Sequence, residues 1–357
     1  MELKQILINT ASPYPPRAKA LIIYTGGTFG MVKDKAGILV PFDFSLILEH
    51  LPTLRNLFLE ITVISFAKPI DSSNIKPEHW KTIGRIILQH YQTQDGFVVL
   101  HGTDTMAYTA SALSFMLQGL AKPVVFTGAQ LPIAEPRSDA RENLITALEI
   151  ATAQAGGKAI VPEVCIYFGS ELLRGCRAKK VESQHFDAFQ SENYPLLAEA
   201  GVRIDYNTKA IREINGKVQL NLLETFNPNV TILKLFPGIS PLVVNQIMDT
   251  PNLKGLVLET FGSGNAPNDT WMVEAVAKAV RNKILIVNIS QCPGGMVEQG
   301  KYETSRFLHE LGVISGRDMT TEAAITKLMI ALGEFEYKEA VEFIQQSIAG
   351  ELSNNSN

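Results

Sequence analysis

The 357-residue chain is long enough for two domains, and 46% hydrophobic with 19% charged residues is ordinary for a globular protein with sizeable cores. A net charge of −4 argues against nucleic acid as a main partner, and no apolar run reaches the roughly eighteen residues that a membrane span needs. The N-terminal MELKQILINTASPYPP lacks a basic region followed by an apolar stretch and a small-residue cleavage site, so a cytoplasmic protein is expected. Cys165, Cys176 and Cys292 form no CxxC and no paired metal spacing, which suits a reducing compartment without structural zinc.

In chain order, an apolar strand over residues 20–24 runs into Thr25, Gly26, Gly27, Thr28, Phe29 and Gly30. Glycines there let a ligand come close to the main chain. Neither GxxxxGK[ST] nor GxGxxG can be laid over this turn, and the later GSGNAP has Pro267 where a third glycine should stand, which argues against a nucleotide site. A helical pattern at 44–51 and a strand at 61–66 follow, then Asp71, Ser72, Ser73 and Asn74 just before a helix at 77–91. That polar knot reads equally as a turn bonding its own backbone.

The strand at 97–100 ends at His101 and Gly102, and Thr103, Asp104 and Thr105 fall where strand gives way to a helix at 105–117. Taken alone, Thr103 or Asp104 reads as a helix cap. Open parallel α/β sheets, however, bind their ligands at such strand ends. A strand at 124–127 leads to Gly128, Ala129 and Gln130, then a helix at 137–153. A strand at 164–168 includes Cys165, which reads as core, and precedes the basic group Arg174, Arg177, Lys179 and Lys180. Such a run is usually a solvated face.

These short, nearly continuous apolar strands alternating with helices predict an α/β fold of two α/β domains. The larger N-terminal one has a mostly parallel sheet with helices on both faces. It is expected over residues 1–200, a linker with some strand character over 201–229, and a smaller C-terminal α/β domain over 230–357. In the latter, strands at 230–236, 255–258 and 284–289 alternate with helices at 241–248 and 270–281, and three helices follow from Glu303.

Two threonines on turns after different strands, one carboxylate and a lysine suggest acyl transfer by a hydroxyl nucleophile. Such a hydroxyl needs a neighbouring base, such as a desolvated lysine, to draw off its proton. Backbone N–H groups in a glycine turn can hold the oxyanion. A small zwitterionic substrate would find an acceptor for its ammonium in Asp104 and donors for its carboxylate around Ser72 and Ser73. This is an amidase-like site for something small and polar.

YTGGTFGM at 24–31 together with HGTDTMAYTASALSFML at 101–117 resembles the paired signature of the L-asparaginases. TGAQLP, RSDARENL, RGCRAKK, HFDAF, FGSGNAP and DMTTEA make the chain similar to the cytoplasmic type I branch, over about residues 20–330. The resemblance implies hydrolysis of L-asparagine to L-aspartate and ammonia, with no metal and no cofactor. It makes Thr28 the nucleophile that forms an acyl-enzyme, and Thr103, Asp104 and Lys180 a second, rigid triad. It makes Gly27, Asp71, Ser72, Ser73, Thr103, Asp104 and Ala129 substrate-binding, the Ala129 carbonyl lying near the leaving amide. It also implies a homotetramer built as a dimer of dimers, each site completed by a neighbour's C-terminal domain.

Two departures stand out. Many members carry a tyrosine on the hinge after the nucleophile, and this chain has Ile38 near that place; Tyr302 resembles a tyrosine that some type I members use instead. Where some bacterial type I enzymes hold the carboxylate of an allosteric asparagine with arginine, this chain has Glu259, with Lys179 at the basic run, so hyperbolic kinetics are expected. A glutaminase or amidotransferase subunit and a non-catalytic amino-acid-binding protein are the alternatives. The absence of an appended domain speaks against the first, and the full set of threonines and lysine against the second.

Overall fold

The computed structural model describes every residue except 1, 12, 34–38, 42–46, 48–50, 215, 217, 218 and 354–357. Ile38, most of the helical pattern expected at 44–51, part of the NG turn and most of the polar tail therefore lie outside the described residues. The chain divides into two compact units, Met1–Leu222 and Leu223–Asn357.

The first unit is built on a nine-stranded sheet. Its strands are β1 (Leu3–Asn9), β2 (Ala18–Tyr24), β3 (Leu59–Phe66), β4 (Gly96–Leu100), β5 (Val124–Thr127), β6 (Val164–Phe168), β7 (Glu171–Arg174), β8 (Ala198–Ala200) and β9 (Ile204–Tyr206). The order is β1-β3-β2-β4-β5-β6-β7-β8-β9. The centre, β3 to β6, is parallel. The edges are antiparallel: β1 on β3 at one side, and β7, β8 and β9 in succession at the other. Central strands such as β4 and β5 are buried at every position, which is why they read as unbroken apolar runs. The edge strand β1 is mostly exposed and carries no such run.

Helices α1 (Pro77–His90), α2 (Met106–Met116) and α3 (Ala140–Thr152) cover the sheet. Leu144, Ala147, Leu148 and Ala151 of α3 share a core cluster with Val98, Leu100 and Val125, the side chains of one sheet face. The preceding Phe97 points to the other face, where it stacks on Tyr91 at the end of α1, centroids 6.2 Å apart. The α2 helix is buried all round, and its small residues (Ala107, Ala110, Ser111, Ala112, Ser114) let neighbouring elements approach.

The second unit holds a four-stranded parallel sheet of β10 (Val230–Lys234), β11 (Gly255–Thr260), β12 (Leu285–Ser290) and β13 (Ile314–Ser315). Helices α4 (Pro241–Met248), α5 (Thr270–Arg281), α6 (Glu303–Glu310), α7 (Thr321–Glu334) and α8 (Tyr337–Gln345) complete it. Ser240 caps α4 and Thr320 caps α7 through their hydroxyls. Leu256, Leu258, Ile286, Val244, Met272 and Val276 belong to its core. Among the described residues no helix is long and apolar enough to cross a membrane.

Candidate active site

The turns after β2, β3, β4 and β5 close on one another, and glycine makes this possible. Gly27 has φ 88°, a left-handed value that disfavours side chains, and a Cβ there would sit 2.6 Å from the backbone N and Cα of Gly102. Gly102 in turn lies against Ser72, whose Cβ and Oγ would be 2.7 Å from an added Cβ. Gly26 abuts the Ile70 backbone, and Gly128 abuts the carbonyl of His101. Hydrogen bonds tie the same turns: Ile70 N–H donates to Thr25 O at 2.8 Å, His101 N–H to Thr127 O at 3.0 Å, and Thr105 Oγ1–H to Ser72 O at 2.7 Å.

Thr28 opens a 3₁₀ turn, Thr28–Gly30, and is half-buried. Its hydroxyl has no hydrogen-bond partner among the described residues. The turn is propped from below by Tyr24, whose hydroxyl donates to Gly30 O at 3.2 Å. Burial pushes that phenol well above its ordinary pKa, so it serves as a strut and not as a base.

Thr103 and Asp104 lie in the 3₁₀ turn Thr103–Thr105 that leads into α2. The Lys180 ammonium donates to Thr103 Oγ1 at 2.8 Å and to Asp104 Oδ1 at 2.7 Å. Its side chain is 17% exposed, whereas that of Asp104 is 63% exposed. Lys180 is held by a two-residue antiparallel pair, Lys179–Lys180 against Phe189–Gln190, with Phe189 packed edge-on against Phe168 at 5.2 Å. So the structure joins Thr103, Asp104 and Lys180 directly, and sets Gly27, the neighbour of Thr28, against Gly102, the neighbour of Thr103.

Asp71, Ser72 and Ser73 form the turn after β3. Asp71 accepts from Ser73 N–H at 2.9 Å and Ser73 Oγ–H at 2.8 Å, and these bonds hold its carboxyl below the usual pKa. Ser73 thus donates within its own turn, while the buried Ser72 faces Gly102. Ala129 is buried at 3% exposure in the turn after β5. Tyr302 lies in the second unit, 50% exposed, at the N-cap position of α6, where its carbonyl accepts from Ser305. Glu259 is nearly buried and accepts from Thr321 Oγ1–H at 2.6 Å.

The basic run divides by chemistry. Arg174 is buried and paired with Glu163 through two nitrogens, at 2.6 and 3.1 Å, and stacks on Tyr194 at 4.2 Å, with Arg177 at 5.2 Å from the same ring. These arginines are structural. Cys165 is fully buried as expected of core.

Two groups that support the site lie in the HGTDTMAYTASALSFML and RSDARENL segments but are not among the expected site residues. His101 is buried: Nδ1–H donates to Gly102 O at 2.7 Å, and Nε2 accepts from Thr109 Oγ1–H at 2.9 Å, which itself accepts from Trp80 Nε1–H at 3.0 Å. Burial lowers its pKa to about 4, so the ring is neutral and holds the Gly102–Thr103 turn as a fixed donor. Asp139 and Asn143, at the start of α3, grip the turn that contains Ala129. The eight-residue spacing from His101 to Thr109 and the bonds made by Asp139 and Asn143 become meaningful only once the turns are folded together.

A cavity of about 600 Å³ opens beside Asp95 and Lys122, which precede β4 and β5, hence at the opposite strand ends from the threonines. Concavity alone therefore does not single out the threonine site; its side-chain chemistry does. Among the described residues no group of three His, Cys, Asp or Glu side chains could hold a metal ion.

Residues 19–212 match the family model for the asparaginase N-terminal domain, and residues 229–344 that for the glutaminase/asparaginase C-terminal domain. The chain is 39% identical over 341 residues to L-asparaginase 1 of Escherichia coli (strain K12), covering 93% of this chain and 97% of that one. It is 37% identical over 363 residues to the 60 kDa lysophospholipase of Mus musculus, covering 95% of this chain but spanning only 63% of that protein's length. The crystal structure of L-asparaginase I from Vibrio cholerae O1 biovar eltor superposes with a TM-score of 0.85 at 36% identity, over 95% of this chain and 100% of that one. With both halves matched and these identities sustained along nearly its whole length, the chain belongs to the asparaginase family.

Proposed function

We propose that the protein hydrolyses L-asparagine to L-aspartate and ammonia through a threonine ester, as a cytoplasmic homotetramer assembled as a dimer of dimers. The observation that carries the reading is the Lys180 ammonium bonded at once to Thr103 Oγ1 and Asp104 Oδ1, on a turn packed against the glycine that precedes Thr28. Thr28 Oγ attacks the side-chain amide carbon; the C–N bond breaks, and the nitrogen leaves as ammonia with the proton given up by the hydroxyl. Water, positioned by Thr103 and Lys180, then opens the ester and releases aspartate. The exposed Asp104 takes the substrate ammonium, Asp71, Ser72 and Ser73 its α-substituents, backbone N–H groups of the Gly27 turn the oxyanion, and the Ala129 carbonyl the leaving amide. No metal or cofactor enters these steps.

The test is ammonia release from asparagine and glutamine side by side, with Thr28→Ala and Thr103→Val. Loss in both variants with asparagine binding retained supports the assignment. Faster release from glutamine would favour the glutaminase reading, which the joint glutaminase/asparaginase description of the C-terminal match keeps in view. Binding without release from either amide would favour an amino-acid-binding protein.

A further inference from the structure

The peptide between Ala129 and Gln130 is held from one side only. The carbonyl of Ala129, a buried residue, meets no hydrogen-bond donor among the described residues. Groups beside it are gripped: Gln130 N–H donates to the two Asp139 oxygens at 3.1 and 3.0 Å, and Leu131 N–H donates to Asp139 Oδ1 at 3.1 Å. Asn143 Nδ2 reaches Gly128 O at 3.0 Å and Asp139 Oδ2 at 3.1 Å, so it locks the carboxylate to the turn.

Asp139 occupies the N-cap position of α3 yet makes no side-chain cap bond to that helix. An aspartate there ordinarily accepts from its own first turn. Here Ser138 Oγ accepts the Ala140 N–H instead, at 3.1 Å, and the carboxylate faces the neighbouring turn. Capping therefore does not explain the residue.

Gln130 N–H and Ala129 C=O belong to one planar unit, so fixing the N–H fixes the direction of the oxygen. A carboxylate on the N–H also draws electron density toward that oxygen, because bonds in a chain polarise one another. We infer that Asp139 is a positioning residue that aims and polarises the Ala129 carbonyl toward the leaving amide nitrogen, without itself touching substrate. The inference rests on the asparaginase reading and on the place of Ala129 within it. Its consequence is selective for the leaving group: an amide nitrogen has an N–H to donate to Ala129 O, whereas an ester oxygen has none.

The experiment compares L-asparagine with the β-methyl ester of L-aspartate, in the wild-type protein and in Asp139→Asn, with melting temperatures alongside. Asp139→Asn is expected to lower kcat for asparagine about 30-fold with KM within about threefold, the scale of a weakened directed hydrogen bond in a transition state. On the ester its kcat falls no more than about threefold. Asp139→Glu recovers part of the asparagine rate, and Asn143→Ala shows the same selectivity at smaller size, which keeps the test open should Asp139→Asn fold poorly. Equal losses on amide and ester, or no loss on asparagine, overturn the inference. Wild-type protein inactive on both substrates is a separate result: it overturns the asparaginase reading and this inference with it.

Discussion

Each unit contains a lysine that meets a single carboxylate, and the two are built in opposite ways. Lys327 on α7 is 0% exposed; its ammonium donates to Ile344 O at 2.9 Å, Gln346 O at 2.6 Å and Glu351 Oε1 at 2.5 Å. Glu351, equally sealed, also accepts from Ile348 and Ala349 N–H, so the pair staples the C-terminal segment onto α7. Three acceptors saturate an ammonium. Lys180 has two acceptors, Thr103 and Asp104, and among the described residues no third; its carboxylate is largely exposed. A closed network rigidifies and has nothing left to offer, whereas an open one keeps bonding capacity for a ligand.

The sharpest way to break this contrast is to remove each ammonium. Lys180→Met is expected to lower asparagine turnover by roughly two to three orders of magnitude, the scale of a lost charged donor that holds the Thr103 hydroxyl and Asp104 in place. Its unfolding free energy should fall by less than about 1 kcal/mol, since the pair is partly open to water. Lys327→Met reverses the pattern. Stripping the partner from a buried carboxylate costs about 3–5 kcal/mol of stability, while turnover per folded molecule holds. Denaturant titration and ammonia release on the same preparations separate the two outcomes, and a Lys327→Met protein as stable as wild type would sink the distinction.

Acid should unfold the first unit through a different group. The folded His101 has a pKa of about 4, against 6.5 for the free side chain. Between those values the unfolded chain binds a proton that the native state refuses, so stability falls as pH drops from 6.5 toward 4, by roughly 3 kcal/mol in all. Above 6.5 the group is neutral in both states and contributes no slope. His101→Asn keeps an N–H for Gly102 O but cannot charge, and its melting temperature should decline less steeply over this window. Glu351 acts lower: Lys327 and backbone N–H groups hold its pKa below 4.5 against the opposing effect of burial, so its contribution is present above 4.5 and lost as pH falls through the depressed value.

How far the sequence discloses these features depends on whether a residue's partner is near in the chain. The central strands β2 to β6 were legible because burial on both faces leaves an uninterrupted apolar run. Strand β1 was not, since it is an edge strand with most side chains in water. Strand β7 was hidden in the basic run, because Arg174 is apolar in effect only through Glu163, eleven positions away. The helix at 140–152 starts later than its apolar pattern, as Ser138 and Asp139 are occupied by the preceding turn. Residues expected as a connection after position 200 supply β9, and Asn221–Leu222 pairs with Leu117–Gln118, which extends the first compact unit to Leu222. In the site, TGGT and HGTDT could be read as turn chemistry at strand ends. The bonds of His101 to Thr109 and of Asp139 to Gln130 could not, because they exist only between elements already packed.

The smallest expected effect concerns Glu259, which would seat an anion poorly. Its carboxylate accepts from Thr321 at 2.6 Å and lies 3.7 Å from Lys234, whose side chain is 65% exposed. An ion pair that open contributes no more than about 1 kcal/mol. Glu259→Gln keeps an oxygen for Thr321, so its stability should change by less than that. If the position holds no effector carboxylate, wild type and Glu259→Gln give the same hyperbolic dependence of rate on asparagine. A sigmoidal wild-type curve that becomes hyperbolic in Glu259→Gln would show instead that this carboxylate is part of an effector site. The second unit would then hold an open polar group of its own, and the contrast with Lys180 would no longer divide the chemistry of one unit from the architecture of the other.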